Sequence, residues 1–211
     1  NDEIYDPCTR PHDQAMTTTR SMETLELEDD DAVEVPFTQP FEFYGAEYNT
    51  VFVGSNGYLT FDEQDTAPNP QFETHFARPR ISGLMTDLNP EAGGQIGVLY
   101  FEGGTRILYY NVPNKEGTGV ANFAINLFND GRITIAHKGT TIENGLVGVS
   151  PGGGIPTEFE ERDLNRTLAS CRPDDTSVNL AQNYLPLPGR FRYAVIDDAA
   201  AGEPNVTGTI E

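Results

Sequence analysis

Between Ala32 and Ser150, apolar residues recur at every second position in short runs, and Gly, Pro, Asn-Gly or Asp-Gly breaks up the runs. Alternation of this kind turns one side of a strand to a core and the other to solvent, and no stretch sustains a helical period. The pattern predicts an all-β fold, an antiparallel β-sandwich of about ten short strands in two packed sheets. Outside the hairpins, strands are expected at about Val33–Val35, Phe41–Tyr44, Ile81–Thr86, Gly97–Glu102, Arg106–Val112, Leu146–Val149 and Arg190–Ile196.

Two hairpins are specified in more detail. Over Tyr48–Phe61, Asn56-Gly57 suits a two-residue type I′ turn, which pairs Ser55 with Tyr58, Val53 with Thr60 and Phe52 with Phe61. Phe52, Leu59 and Phe61 then share a core face. Over Val120–Lys138, a two-residue loop would set Phe123, Ile125 and Leu127 on the face opposite Ile133 and Ile135. A three-residue loop closed by Gly131 in the left-handed region instead pairs Leu127 with Ile133 and Ile125 with Ile135, and sets His137 level with Phe123.

Residues 1–31 read as a polar acidic arm and 32–198 as the sandwich domain. Within that domain, 156–185 is an irregular stretch with one short helix over Thr157–Ser170, and 190–196 is a return strand. Residues 199–211 form a second polar tail, with a strand-like Asn205–Ile210.

Charge narrows the choice of partner. There are 33 acidic residues against 13 basic ones, a net charge of −20, and Lys115 and Lys138 are the only lysines. Such a surface repels phosphate backbones, which excludes nucleic acid. It fits a salty or calcium-rich medium as well as a merely soluble acidic protein. Apolar runs are far too short for a spanning helix, so no membrane insertion is expected. The chain starts at Asn1 and carries sequons at Asn165 and Asn205, which together suggest a processed, exported, glycosylated protein. Cys8 and Cys171 have no metal-site spacing. In that setting they are candidates for a disulfide, with two free buried thiols as the alternative.

Several groups could carry chemistry. His12, His75 and His137 are scattered and read as core or surface residues. Glu158, Glu160, Glu161 and Asp163 read as a solvated helix face, with a glycosidase-like pair (Glu160 and Asp163) as the enzymatic alternative. Ser150-Pro-Gly-Gly-Gly154 is a loop with no phosphate-binding motif. Clustered carboxylate and amide oxygens in loops suit calcium. Asp87, Asn89 and Glu91 form one candidate set, and Asp62 and Asp65, with Glu63, form another; turns in which Asp or Asn bonds its own backbone are the alternative. Of Tyr109-Tyr110, which must face opposite ways, at most one is an exposed sugar platform.

From Pro36-Phe-Thr-Gln-Pro-Phe-Glu-Phe-Tyr-Gly45, through Val51-Phe-Val-Gly-Ser-Asn-Gly-Tyr-Leu-Thr-Phe61 and Arg80-Ile-Ser-Gly-Leu-Met-Thr-Asp-Leu-Asn-Pro90, the order of motifs resembles a nidogen-like domain. The Gly97–Phe101 strand, Asn122–Ile133 and Gly145–Val149 continue the resemblance, which covers residues 36–150. It implies an extracellular, non-catalytic module used in adhesion or matrix assembly.

The expected function is therefore a non-enzymatic structural or adhesion subunit at the cell surface. It assembles with copies of itself into a filament or matrix by β-strand addition, through Leu25 and Leu27 in Thr24–Glu28 or Val206 and Ile210 in Asn205–Ile210. The alternative is a calcium-dependent module of a secreted surface protein. That module binds a glycan, or a matrix or surface protein, through the loops Asp62–Asp65, Asp87–Glu91 and Pro151–Pro156.

Overall fold

The hairpin around Gly131 forms as the apolar pattern requires. Leu127 pairs with Ile133, Ile125 with Ile135 and His137 with Phe123. The Gly131 N–H donates to the Phe128 carbonyl (2.9 Å) and Gly131 has φ 86°. The computed structural model in which this register is seen describes residues 8–10, 21–157, 159, 161–163, 179–182 and 190–194, with side chains for 21–157, 159 and 161.

The strands in chain order are β1 (Cys8–Arg10), β2 (Glu23–Thr24), β3 (Ala32–Phe43), β4 (Ala46–Gly54) and β5 (Tyr58–Thr60). A short helix α1 (Phe72–Phe76), β6 (Pro79–Met85) and a 3-10 turn (Pro90–Ala92) follow. Next come β7 (Gln95–Phe101), β8 (Gly104–Pro113), β9 (Val120–Phe128), β10 (Ile133–His137) and β11 (Asn144–Pro151). The last are β12 (Arg162–Asp163), β13 (Asn179–Gln182) and β14 (Arg190–Ala194). They form two seven-stranded sheets, ordered β1-β13-β10-β9-β8-β7-β2 and β12-β14-β11-β6-β5-β4-β3. Among themselves, the ten strands β2 to β11 pair antiparallel, as expected. The flanking strands add parallel pairs, β1 with β13, β13 with β10 and β14 with β11.

The facing sides of the sheets close on Val51, Val53, Leu59, Ile81, Ile107, Phe123, Ile125 and Ile135, all fully buried. Burial of such side chains contributes about 1.5–3 kcal/mol each. Tyr109 stacks on Phe123 (4.4 Å between centroids), and its hydroxyl donates across the sandwich to the Gly54 carbonyl (2.6 Å). Its neighbour Tyr110 points the other way and is half-buried.

Several sequence expectations need correction. The loop between β4 and β5 has three residues, Ser55-Asn56-Gly57, so Gly54 pairs with Tyr58, Val53 with Leu59 and Phe52 with Thr60. Of Asn56-Gly57 only Gly57 takes a positive φ (83°), and Phe52 leaves the core face to Val51 and Val53. The two-residue turn with two positive φ values lies one hairpin earlier, at Tyr44 (49°) and Gly45 (76°) between Phe43 and Ala46. Within Thr157–Ser170, Arg162–Asp163 is a strand paired with Tyr193 and Arg192, so pairing overrides helix propensity there. Among the described residues the one α-helix is α1, too short to leave a periodic signal; its Phe72 and Phe76 pack on Phe159 (4.7 and 5.0 Å). The acidic arm contributes β1 and β2 to a sheet. Outside the described residues lie Cys171, Asn165, Asn205, Val206, Ile210, His12, Glu158 and Glu160, and the Cys8 side chain is also outside them.

The register of β5 and β6 creates a polar layer. Leu59 pairs with Ile81 toward the core, which sends Tyr58, Thr60, Arg80 and Ser82 to the outer side, beneath α1 and the 62–67 loop. Arg80 is fully buried, bonded to Asp65 and placed over the Tyr58 ring (4.3 Å). His75 of α1 bonds Ser82 Oγ through Nδ1 (2.8 Å). Burial, reinforced by the Arg80 charge, pushes the His75 pKa down to about 3. On the core face, burial lowers His137 to about 4. Burial alone would raise Asp65, but the Ala67 N–H, Arg80 and Arg78 outweigh it and hold the carboxyl below its usual range.

Two predictions follow from this layer and the turn. Both histidines fold neutral with pKa values below the unfolded 6.5, so their contribution is complete above pH 6.5 and lost as pH falls toward 4 and 3. Urea midpoints should therefore decline between pH 6.5 and 4, by about 1.4 kcal/mol per pH unit per histidine at most, and a His137→Phe variant should show the shallower decline. Gly57→Ala forces a left-handed alanine and sets its Cβ 2.0 Å from the Leu84 carbonyl oxygen, whereas Gly117→Ala (φ 68°) meets open space. Chemical unfolding should show a loss of about 1 kcal/mol for the second and roughly 3 kcal/mol or more for the first.

Candidate cation-binding groove

The Ser55-Asn56-Gly57 turn is drawn into the protein, and its polar groups organise the loops around it. Asn56 is fully buried. Its Oδ1 accepts from the Leu88 N–H (2.8 Å), and its Nδ2 donates to Asp30 Oδ1 (2.8 Å) and the Thr66 carbonyl (3.3 Å). Its carbonyl accepts from the Thr86 N–H (3.2 Å). Ser55 holds the neighbouring loop: its N–H donates to the Asp31 carbonyl (2.8 Å), and its Oγ accepts from the Asp31 N–H (3.0 Å). Asp30 sits at φ 51°, a conformation Asp tolerates better than most residues.

Two distant acidic segments are thereby brought side by side. The carboxylates of Asp29, Asp30 and Asp87 each place an oxygen within 4.8 Å of the others. Lys115 reaches the cluster twice. Its N–H donates to the Asp87 carbonyl (2.9 Å) and its ammonium pairs with Asp29. Asp29 Oδ1 is buried without a protein partner. Burial and then the Asp30 and Asp29 charges raise the Asp87 carboxyl above its usual range, against the pull of Lys115. The hydrogen bond that Lys115 donates to Asp29 raises the Lys115 pKa. Like charges about 4 Å apart repel by roughly 1 kcal/mol in water and 4 at an effective dielectric of 20. One ammonium offsets only part of that, which leaves a place for a further positive charge, and hard oxygen donors suit calcium or magnesium.

The cluster opens onto a groove of about 740 Å³. Asp87, Glu116 and Glu143 line it with carboxylates, Lys115 with an ammonium, and Asn114, Thr118, Thr141 and Asn144 add hydroxyl and amide groups. Such a lining suits a polar ligand rich in hydroxyls.

Of the expected calcium ligands, Asp87 alone joins the cluster. Asn89 Oδ1 accepts from the Ala92 N–H (3.3 Å) and caps the 3-10 turn, in which Glu91 is exposed. Asp62 and Asp65 are drawn to arginines: Arg78 lies 3.6 Å from Asp62 and 3.5 Å from Asp65, and Arg80 pairs with Asp65. Asp29 and Asp30 were hidden in a run that reads as a solvated arm. The clue to them was Ser55-Asn56-Gly57, whose amide serves as a buried clamp. Leu25 and Leu27 are engaged within the chain: the Leu25 N–H donates to the Ile96 carbonyl (2.8 Å), and Leu27 is buried.

Fold and groove together define an all-β sandwich module with a polar, acidic groove. The sequence profile described as NIDO related matches residues 8–182, and the chain belongs to that family. No curated protein and no solved structure matched it. Among the described residues no helix is long and apolar enough to cross a membrane.

If the three carboxylates act as one electrostatic unit, Asp30→Asn should lower the Asp87 titration midpoint, which carboxyl carbon NMR reads directly. An unchanged midpoint would mean that burial alone sets it.

Proposed function

We propose that this protein is a non-catalytic extracellular adhesion module that recognises a polar partner, a glycan or a surface protein, through the groove beside Asp87, with a divalent cation held by Asp29, Asp30 and Asp87. The convergence of three carboxylates from two distant segments at the mouth of a polar groove is the observation that carries this reading. Membership of the NIDO-related family supports the extracellular setting. The described surface supports polar recognition, since Ile155 is its single exposed large apolar residue.

Calorimetry with calcium and with magnesium tests the cation. The expected result is one site, lost in Asp87→Asn with the fold retained; a cation at 100 times its dissociation constant raises unfolding stability by about 2.7 kcal/mol. Absence of heat and of any thermal shift in either ion would refute the cation. A glycan array read with calcium and with chelator then separates a cation-bridged ligand from a directly bound one.

Self-assembly is the second reading, and the outer position of β3 in its sheet favours it. Pro36 and Pro40 lack N–H donors, so strand addition there is confined to the Ala32–Val35 end. A donor built on Leu25 and Leu27 must first leave β7, and one built on Val206 and Ile210 lies outside the described residues. Light scattering in calcium and in chelator should find a monomer if the groove reading holds, and large assemblies if strand addition operates.

A further inference from the structure

Beneath α1, the outer side of the second sheet carries two short rows of residues across β5, β6 and β11. Tyr58 lies level with Ser82 and Gly148, and Thr60 level with Arg80 and Ser150. All six are buried, and Tyr58, Arg80, Ser82 and Ser150 completely so. A polar group shut away from water costs about 1–3 kcal/mol if it is left unbonded, and more if it is charged.

Most of these groups are served within the layer. The Thr60 hydroxyl donates to the Glu63 carbonyl (2.7 Å), Ser150 Oγ accepts from the Gly152 N–H (3.0 Å), and Asp65 Oδ1 accepts from the Ala67 N–H (2.9 Å). His75 meets Ser82 at Nδ1, and the Val149 carbonyl also acts on its ring, against the larger effect of burial. Two side chains are left over. Arg80 reaches Asp65 through Nη2, but its Nε and Nη1 have no partner among the described residues, and neither has the Tyr58 hydroxyl. Burial and then the Asp65 charge raise the Tyr58 pKa, so the hydroxyl keeps its proton and is a donor like the two guanidinium nitrogens. These donors share one place. The guanidinium lies over the Tyr58 ring, 4.3 Å from its centroid, and both Arg80 and Asp65 act on the hydroxyl without meeting it in hydrogen-bond geometry.

Buried donors call for an acceptor, which excludes a cation. Charge balance excludes an anion: Arg78 and Arg80 already face Asp62, Glu63 and Asp65, two positive charges against three negative, and a further negative charge in this closed layer would go uncompensated. Water is a neutral acceptor that typically makes about three hydrogen bonds in such places. The small side chains of Ser82 and Ser150, and the bare backbone of Gly148, leave width for it beside Arg80.

We propose that Arg80 and Tyr58 hold a buried water molecule beneath α1. The water accepts from the Tyr58 hydroxyl and from a free guanidinium N–H, and donates to the Asp65 carboxylate. It thereby ties β5 and β6 to the 62–67 loop. Because α1 and that loop close over it, it exchanges with solvent only as they lift. This inference does not depend on the cation groove.

Nitrogen-15 NMR on the full chain tests it, with the solvent water as the probe. Nuclear Overhauser and rotating-frame spectra should both join the Arg80 side-chain N–H groups to the water frequency, with opposite signs, as a long-lived dipolar contact requires and proton exchange does not. Tyr58→Phe keeps the ring under the guanidinium and removes the hydroxyl; in it the cross-peak should weaken several-fold while the sheet signals persist. The absence of a dipolar cross-peak in the wild type would overturn the proposal, as would one that Tyr58→Phe leaves unchanged. Replacing chloride by bromide at constant ionic strength should leave the Arg80 Nε resonance in place. A shift there would make the occupant an anion and overturn the proposal as well.

Discussion

A buried carboxamide holds the acidic end of this sandwich together. Asn56 cannot stay dry unless its polar atoms are bonded, and an unsatisfied buried polar group costs about 1–3 kcal/mol. It meets that demand with the Leu88 N–H, Asp30 and the Thr66 carbonyl, three points far apart in sequence. The satisfaction of one side chain therefore fixes the mutual position of the loops around 30, 66 and 88. Gly57 makes this possible, because any side chain at that φ would strike the Leu84 carbonyl. Asp30 and Asp87 approach each other as a consequence, against their own repulsion.

The two polar features of the sandwich are built differently. Beneath α1, the Arg80 charge is matched by Asp65 and its planar face is covered by Tyr58, so the charge is compensated within the layer, although Arg80 Nε and Nη1, Tyr58 Oη and His75 Nε2 are buried without a hydrogen-bond partner. At the groove, three carboxylates face one lysine and Asp29 Oδ1 has no protein partner. The first arrangement stabilises a cover over the sheet. The second leaves charge unbalanced at the surface, where an external cation or ligand group can balance it.

Strand positions, the Gly131 hairpin and the all-β class were legible because they depend on a two-residue period and on loop length. The Asn56 hairpin was misread by one residue because local turn preference favoured a two-residue loop, while the tertiary bonds of Ser55 and Asn56 demand three. Helix α1 was invisible for its length, and its stability comes from Phe159, distant in sequence, and from Ser82 on the next strand. Asp87 was legible as an oxygen donor in a loop. Asp29 and Asp30 were not, because nothing local distinguishes a clamped acidic run from a solvated one.

The most direct test is hydrogen exchange of Asn56→Ala against the wild type, followed by mass spectrometry. The account predicts that segments around 29–31, 65–67 and 86–89 lose protection together while β8 to β10 keep theirs. Loss confined to the 55–57 turn, with those three loops unchanged, would contradict it.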